Sequence, residues 1–367
     1  MLEQHSSPVD PAGPLPQPSP GALDDFMGKM VGDMGAAMSA ALVLLGDHLG
    51  LYRALAEGGP ATSAQLAART GTTERYVREW LAGQAAAGYV SYDEDEHRFF
   101  LDPVQTLVFA DEGGPVFLAG GFDVIAAMFR DEPKIADAFR SGDGVGWHEH
   151  DTCLFRGTER FFRPGYNANL LSSWIPALEG VEAKLRRGAV VADVGCGHGA
   201  STLLMAQAFP NSRFFGFDYH AASVERARET AEAAGLGSRA VFQTAMAKTF
   251  PGDHYDLICI FDALHDMGDP VGAAAHIRAC LNPDGTWMLV EPFANDALTD
   301  NLNPVGRMFY AASTMLCTPA SLSQEVGLGL GAQAGEARLR GVCQEAGFTR
   351  FRRVAQTPFN LVFEVRP

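Results

Sequence analysis

One stretch constrains this chain more than any other. Val190-Val191-Ala192-Asp193-Val194 is a short apolar run with β-branched residues, which reads as a buried strand. It runs straight into Gly195-Cys196-Gly197-His198-Gly199, and Ala200 to Phe209 then reads as a helix. A strand that turns through glycines into a helix belongs to an open α/β sheet whose ligand lies outside the carboxyl ends of parallel strands. Glycine lets the main chain touch a ligand where any Cβ would clash, so the stretch predicts a backbone cradle at a helix N-terminus. A second strand, Arg213 to Phe217, ends at Asp218. That acid lies about twenty residues past the loop, where it can accept both hydroxyl protons of a ribose. The expected ligand is therefore adenosine-like.

A dinucleotide pattern, G-x-G-x-x-G/A, fits loosely through Gly195, Gly197 and Ala200. Three details favour S-adenosylmethionine over a dinucleotide. Asp193 precedes the loop in D-x-G-x-G-x-G form, and the glycines alternate at 195, 197 and 199. The chain also ends with Phe351–Ala355, a Thr357-Pro358 break and Asn360–Val365, which predicts an antiparallel hairpin closing the sheet. Nicotinamide enzymes usually continue with a second mononucleotide half instead.

Charge and organisation narrow the function classes. The 367 residues carry 44 acidic and 28 basic side chains, a formal charge of −16. Such a surface repels polyphosphate and anionic membranes, so neither nucleic acid nor membrane is an expected partner. Residues 1–22 hold six prolines and almost no large apolar side chains, and are expected to be a disordered tail. Residues 23–110 read as a helical, winged-helix and dimerisation domain. Ser63 to Thr70 is a short helix closed by Gly71, Thr72 or Thr73 caps a second helix, and Gly88–Tyr92 with Arg98–Leu101 form a two-stranded wing. That segment has 6 Lys/Arg against 12 Asp/Glu, and its wing tip is Asp93-Glu94-Asp95-Glu96, so the basic footprint of a DNA reader is missing. Small residues at Gly35, Ala36, Ala40 and Ala41 would admit a second helix, either as a core pair or as a homodimer face. Residues 111–180 are expected to be a helical connector covering the substrate, with a long helix ending near Gly188, and 181–367 a catalytic domain with a lid insertion at 292–335. Six widely spaced cysteines without a C-x-x-C pair, no signal peptide, and no apolar run longer than Met34–Gly46 predict a soluble cytoplasmic protein. His148, His150, Asp151 and Cys153 are close in sequence but lack a third ligand at a typical offset, so no metal is expected.

The chain resembles the class I S-adenosylmethionine-dependent methyltransferases, and within them a winged-helix subgroup common in actinobacteria. The resemblance spans nearly all of residues 25–367. It is carried by Phe161–Tyr166, Asp193–Gly199, Gly216–His220, Leu264–Asp269 and Ala346-Gly347-Phe348. It implies a Rossmann-like α/β sheet with a terminal antiparallel hairpin, behind an N-terminal helical winged-helix domain. It implies S-adenosyl-L-methionine as methyl donor and S-adenosyl-L-homocysteine as product. Cofactor contacts are then expected from Asp193, Gly195, Cys196, Gly197, Asp218, Tyr219, Met246, Phe261 and Tyr166, with Arg163 pairing either the cofactor carboxylate or a substrate acid. Many relatives place an adenine-binding Asp after the third strand, where this chain has Ala245-Met246-Ala247. Similarity in layout to plant-type O-methyltransferases implies His265 as general base, nine residues after Asp256, and Glu291 as the acid that orients it. The acceptor is expected to be a largely apolar small molecule, walled in part by Phe122, Phe162, Met308 and Tyr310. Two other readings remain at this stage, a winged-helix regulator that senses S-adenosylmethionine and a nicotinamide-dependent oxidoreductase.

Overall fold

A computed structural model describes residues 19–367. The expected tail therefore falls mostly outside the described residues, apart from its last four. Of those, Ser19 caps helix α1 (Pro20–His48) by accepting the Ala22 N–H, and Pro20 sits in the first turn, where its missing N–H costs nothing.

The N-terminal unit is helical. Helix Ser63–Thr70 opens on a Thr62/Gln65 capping box and closes on Gly71 at φ 65°. Helix Glu74–Ala86 follows, then the wing, β1 (Ser91–Asp93) against β2 (Arg98–Phe100). Tyr52, Leu66, Trp80 and Leu81 bury their side chains in the core of this unit. Only Ala40, Val43 and Gly46 of α1 are buried, and Gly46 allows the Trp80 and Tyr52 rings to approach its backbone. By length and composition alone α1 would suffice to cross a membrane.

The catalytic half is built on a seven-stranded sheet, ordered β5-β4-β3-β6-β7-β9-β8. Its strands are β3 (Val190–Val194), β4 (Arg213–Asp218), β5 (Ala240–Thr244), β6 (Tyr255–Phe261), β7 (Leu281–Pro292), β8 (Arg350–Gln356) and β9 (Asn360–Arg366). The first five are parallel, and β9 pairs antiparallel with both β7 and β8. The apolar runs in β3, β6 and β7 follow from burial on both faces. The chain reverses its order between β3 and β6, so a crevice opens above their carboxyl ends.

The connector departs from expectation. Phe161–Tyr166 lies inside helix Cys153–Asn169 rather than ahead of one. A π-helical turn, Leu170–Trp174, follows, and the chain breaks at Gly180 (φ 74°) before helix Val181–Arg187. One continuous helix to Gly188 does not form, because the helical run ends at Ala177, Leu178 turns extended, and Gly180 in the left-handed region starts the next helix. The connector is fastened to the N-terminal unit by Arg160. Its guanidinium pairs with Asp47, Glu112 and Asp123 at 2.6 to 3.2 Å, and it is nearly buried.

Candidate active site

The glycine loop is held from below. Asp193 is fully buried, and its Oδ2 accepts the Ser201 and Thr202 hydroxyls at 2.7 and 2.6 Å, which pins the following helix to β3. Burial pushes this carboxyl up to about 6, against those two hydrogen bonds. Asp193 is absent from the cavity wall, so it supports the loop instead of contacting a ligand as the sequence suggested. A Cβ at Gly199 (φ 80°) would meet the Phe242 ring at 2.7 Å, and one at Gly195 (φ 76°) would meet Ala263 at 2.9 Å.

The backbone cradle that the glycines predicted is largely bonded from within. Gly195 and Cys196 both donate their N–H to Phe217 O, and Gly199 donates to Cys196 O. Gly197 donates to Asp218 Oδ2 at 2.9 Å. These four amides are satisfied within the protein, which leaves the His198 N–H and the first-turn amides of the following helix as the loop's remaining donors. Asp218 ends β4, and its Oδ1 also accepts the His220 N–H at 2.8 Å. Burial raises its pKa, and the two backbone donors oppose that. Each carboxylate oxygen keeps a further lone pair for a ligand hydroxyl.

The cavity lies over this loop. Gly195, Cys196, Gly197, Asp218, Tyr219, Met246, Phe261 and Tyr166 all line it, as does Phe162. Ala245, Met246 and Ala247 form an apolar patch there, and the Ala245 N–H is already spent on Asp218 O. Tyr166 packs on Phe261 with ring centroids 5.3 Å apart.

Arg163 is drawn away from the cavity by Glu159 (2.9 Å) and Glu112 (3.0 Å), so it is not placed to pair with a cofactor or substrate acid. Phe122 packs on the core of the N-terminal unit. Met308 and Tyr310 belong to helix Pro304–Ala312, outside the cavity lining. The lid reaches the cavity instead through Ala320 and Gln324. Lys248 bonds Asp269 at 2.9 Å and Glu325 at 3.1 Å, tying this part of the lid to the sheet domain.

His265 is placed differently from a free general base. It sits on a short 3₁₀ turn after β6, 3% exposed, and does not line the cavity. Its Nδ1 is 2.7 Å from Glu291 Oε2, and its Nε2 is 3.2 Å from Asp266 Oδ1. Burial opposes charge on the ring, but the Asp266 and Glu291 carboxylates outweigh it and hold the imidazole protonated, well above its ordinary range. An imidazolium between two carboxylates has no lone pair with which to take a proton. Glu291, at the end of β7, does contact the imidazole as expected, and also accepts the Leu264 N–H at 3.0 Å.

Two acids that the sequence reading passed over face the cavity. Asp262 follows β6 with φ 50°, a left-handed conformation rare outside glycine and concentrated at functional sites. Its Oδ1 accepts from Asn360 at 2.8 Å, and its buried Oδ2 has no partner among the described residues. Asp266 lies on the wall beside Met267. Burial raises both carboxyls. The available signal was their position just past the central strand β6, at the mouth of the crevice. Asp218, Asp269, Glu159 and Lys248 also line the cavity. Asp269 pairs with Lys248 and Glu159 with Arg163, so the carboxyls without a lysine or arginine partner among the described residues are Asp218, Asp262 and Asp266. These acceptors suit a cationic ligand and disfavour a pyrophosphate.

Residues 185–346 match the methyltransferase-domain family, and residues 37–110 match the Rv2258c-like winged HTH domain. A relative, 27-O-demethylrifamycin SV methyltransferase of Amycolatopsis mediterranei, is 31% identical over 107 residues, 29% of this chain and 39% of its own length. The trans-aconitate 2-methyltransferase of Paracidovorax citrulli is 33% identical over 102 residues, 28% of this chain and 38% of its own. The chain thus spans about two fifths of the length of the curated relatives it matches. Among solved structures, mitomycin 7-O-methyltransferase superposes with a TM-score of 0.64 at 22% identity, covering 95% of this chain and all of that one. Human N-acetylserotonin methyltransferase gives 0.67 at 16% identity, covering 97% and 99%. At these identities the structural likeness speaks for the fold. The sheet order, the glycine loop and the two matches together show a methyltransferase domain of class I fold over residues 185–346, joined to an Rv2258c-like winged helix-turn-helix domain over residues 37–110.

Proposed function

We propose that the protein transfers a methyl group from S-adenosylmethionine to a hydroxyl of a largely apolar small molecule. The observation that carries this is the acid-lined cavity over a glycine loop in which the Gly195, Cys196, Gly197 and Gly199 amides are already bonded within the protein. A sulfonium with an ammonium group fits that environment, whereas a dinucleotide would bring two phosphates against carboxylates. Asp218 would hold the ribose hydroxyls, and Tyr219, Met246 and the flanking alanines would pack on the base in place of a polar adenine contact. When bound, the sulfonium supplies an activated methyl group, so the chain must mainly align the acceptor and exclude water. Trp147, Phe155, Phe162 and Met267 give the remaining wall its apolar character. Asp266, partly exposed to the cavity and raised by burial, is the group placed to take the acceptor proton. His265 and Glu291 position it from behind. A hydroxyl acceptor is supported by the names of two similar proteins, which specify transfer to oxygen. The test is transfer of labelled methyl from S-adenosylmethionine to a panel of phenols, macrocyclic alcohols, aryl amines and carbon nucleophiles. Label on nitrogen or carbon acceptors alone would refute the hydroxyl assignment.

We take the winged helix as a packing and dimerisation module. In its second helix, Arg75 pairs with Glu79 at 2.6 Å and Arg78 with Glu74 at 2.8 Å, so these cations are already neutralised within the helix. Along α1, Phe26, Met27, Met30, Val31, Met34 and Met38 are exposed, and no heavy atom lies within 4 Å of a Cβ built at Gly28, Gly32 or Gly35. That apolar stripe with close-approach positions fits a second copy of the same helix. Sedimentation at micromolar concentration should give a dimer, and α1 truncated to its buried end should give a monomer. A monomeric full-length chain, or one that partitions onto neutral vesicles, would reject the module.

A further inference from the structure

The described residues bring a second set of chemistry-bearing groups together behind the acceptor wall. One ligand atom each from His265, Asp266 and Cys317 lies within 4.8 Å of the others. Two come from the turn after β6. The third comes from a π-helical turn of the lid, Ser313–Cys317. Single π turns recur at functional sites, because the extra residue re-aims side chains.

Three features distinguish this set from a chance meeting of polar groups. The His265 Nδ1 is backed by Glu291 at 2.7 Å, which orients Nε2 towards Asp266 at 3.2 Å. Asp266 Oδ1 is buried, and its 3.2 Å contact with the His265 ring is an ion-pair contact without hydrogen-bond geometry. A second histidine repeats the pattern nearby. The His150 Nδ1 is backed by Asp131 at 2.9 Å, and its Nε2 is buried with no partner among the described residues. His150 is only 4% exposed. Its neighbour Trp147 packs against the buried cluster that includes Cys317 and Leu316. A carboxylate behind each imidazole is how proteins fix the tautomer and direction of a metal-binding histidine.

From this placement we propose that His265, Asp266 and Cys317 form a site for a zinc-class divalent cation, with His150, whose buried Nε2 is unpartnered among the described residues, as the fourth donor to be tested. The donor set is one imidazole or two, a carboxylate and a thiolate, which suits a borderline-soft ion and not magnesium or calcium. Tetrahedral zinc with bonds of ~2.0–2.3 Å spaces its ligand atoms by roughly 3.3–3.6 Å. The group needs only a small contraction to reach that spacing. Without the ion, the His265 proton supplies the positive charge between Glu291 and Asp266. With it, the cation does. Because Cys317 belongs to the lid, the ion would also tie the lid to the sheet. Asp266 cannot at once ligate the ion and take the acceptor proton, so in the loaded protein the cation would replace it as the group beside the acceptor oxygen that favours deprotonation.

The role beside the acceptor rests on the methyl-transfer reading, but cation binding does not, and the experiment separates the two. Full-length protein freed of metal by chelation is titrated with cobalt(II) and with zinc(II), with absorption and heat recorded. The expected result is one saturable equivalent with a thiolate-to-cobalt charge-transfer band. Cys317→Ser should lose the band and bind at least about tenfold more weakly. Glu291→Gln and Asp131→Asn should each weaken binding about ten- to a hundredfold with the band retained. Melting curves and S-adenosylhomocysteine binding on the same samples report folding and the cofactor site independently. A band that survives in Cys317→Ser, or equal cobalt affinity in that variant and the unaltered protein, overturns the proposal. His150→Gln gives a second check should the serine variant fold poorly. Unchanged affinity there removes His150 from the site, and lost affinity in a folded variant supports it.

Discussion

Asp218→Ala should weaken S-adenosylhomocysteine binding by about a hundredfold or more. Two ribose hydroxyls would each lose a charged acceptor, and hydrogen bonds to charged groups are worth ~1.5–3 kcal/mol apiece. The loss has a second source. Asp218 also accepts the N–H groups of Gly197 and His220, so its removal strands both and loosens the loop. Asp218→Asn keeps one carbonyl acceptor and should fall between the two. Calorimetric titration of each variant, with melting temperature as a fold control, measures the effect. An alanine variant that binds as tightly as the unaltered protein would remove the ribose assignment.

The second large effect concerns the acceptor side. Asp266→Asn should lower kcat by about 10²–10⁴-fold while leaving S-adenosylhomocysteine affinity within a few-fold. Burial raises the Asp266 carboxyl, with His265 opposing. As a base it is active only when ionised, so kcat should fall as pH drops through a value above the ordinary carboxylate range. The asparagine variant should lose that acid limb. Glu291→Gln gives a complementary readout. It removes one of the two carboxylates that keep His265 charged. The limb should then shift while persisting, which a merely structural role would not produce. An Asp266→Asn variant with unchanged rate and pH profile would contradict the assignment.

Much of the sheet domain was legible because its signals are local. Val190–Val194, the alternating glycines and Asp218 are each fixed by neighbours in sequence, and β3, β4 and the terminal hairpin form where the pattern put them. The winged helix was legible through its glycine cap and acidic tip. What sequence could not supply was side-chain direction across elements. Arg163 has an arginine's chemistry, but Glu112 and Glu159 claim it, and Glu112 lies far away in the chain. Phe122, Met308 and Tyr310 are as apolar as Phe162, yet only Phe162 reaches the cavity. Which aromatic residue faces a cavity depends on how the connector docks, and no periodicity encodes that. The histidine was found by spacing, but spacing cannot tell that Asp266 and Glu291 would close on both its nitrogens. The glycine loop misled in one respect. Its composition suggested free amides, whereas the folded loop turns them onto Phe217, Cys196 and Asp218.

That last point makes the central claim testable by one titration. The unaltered protein is titrated with S-adenosylhomocysteine and, in parallel, with oxidised and reduced nicotinamide dinucleotides. A cavity lined by carboxylates, over a loop whose four amides at Gly195, Cys196, Gly197 and Gly199 are bonded internally, predicts micromolar S-adenosylhomocysteine binding and no measurable heat from either dinucleotide. Dinucleotide binding that excludes S-adenosylhomocysteine would contradict the account at its foundation.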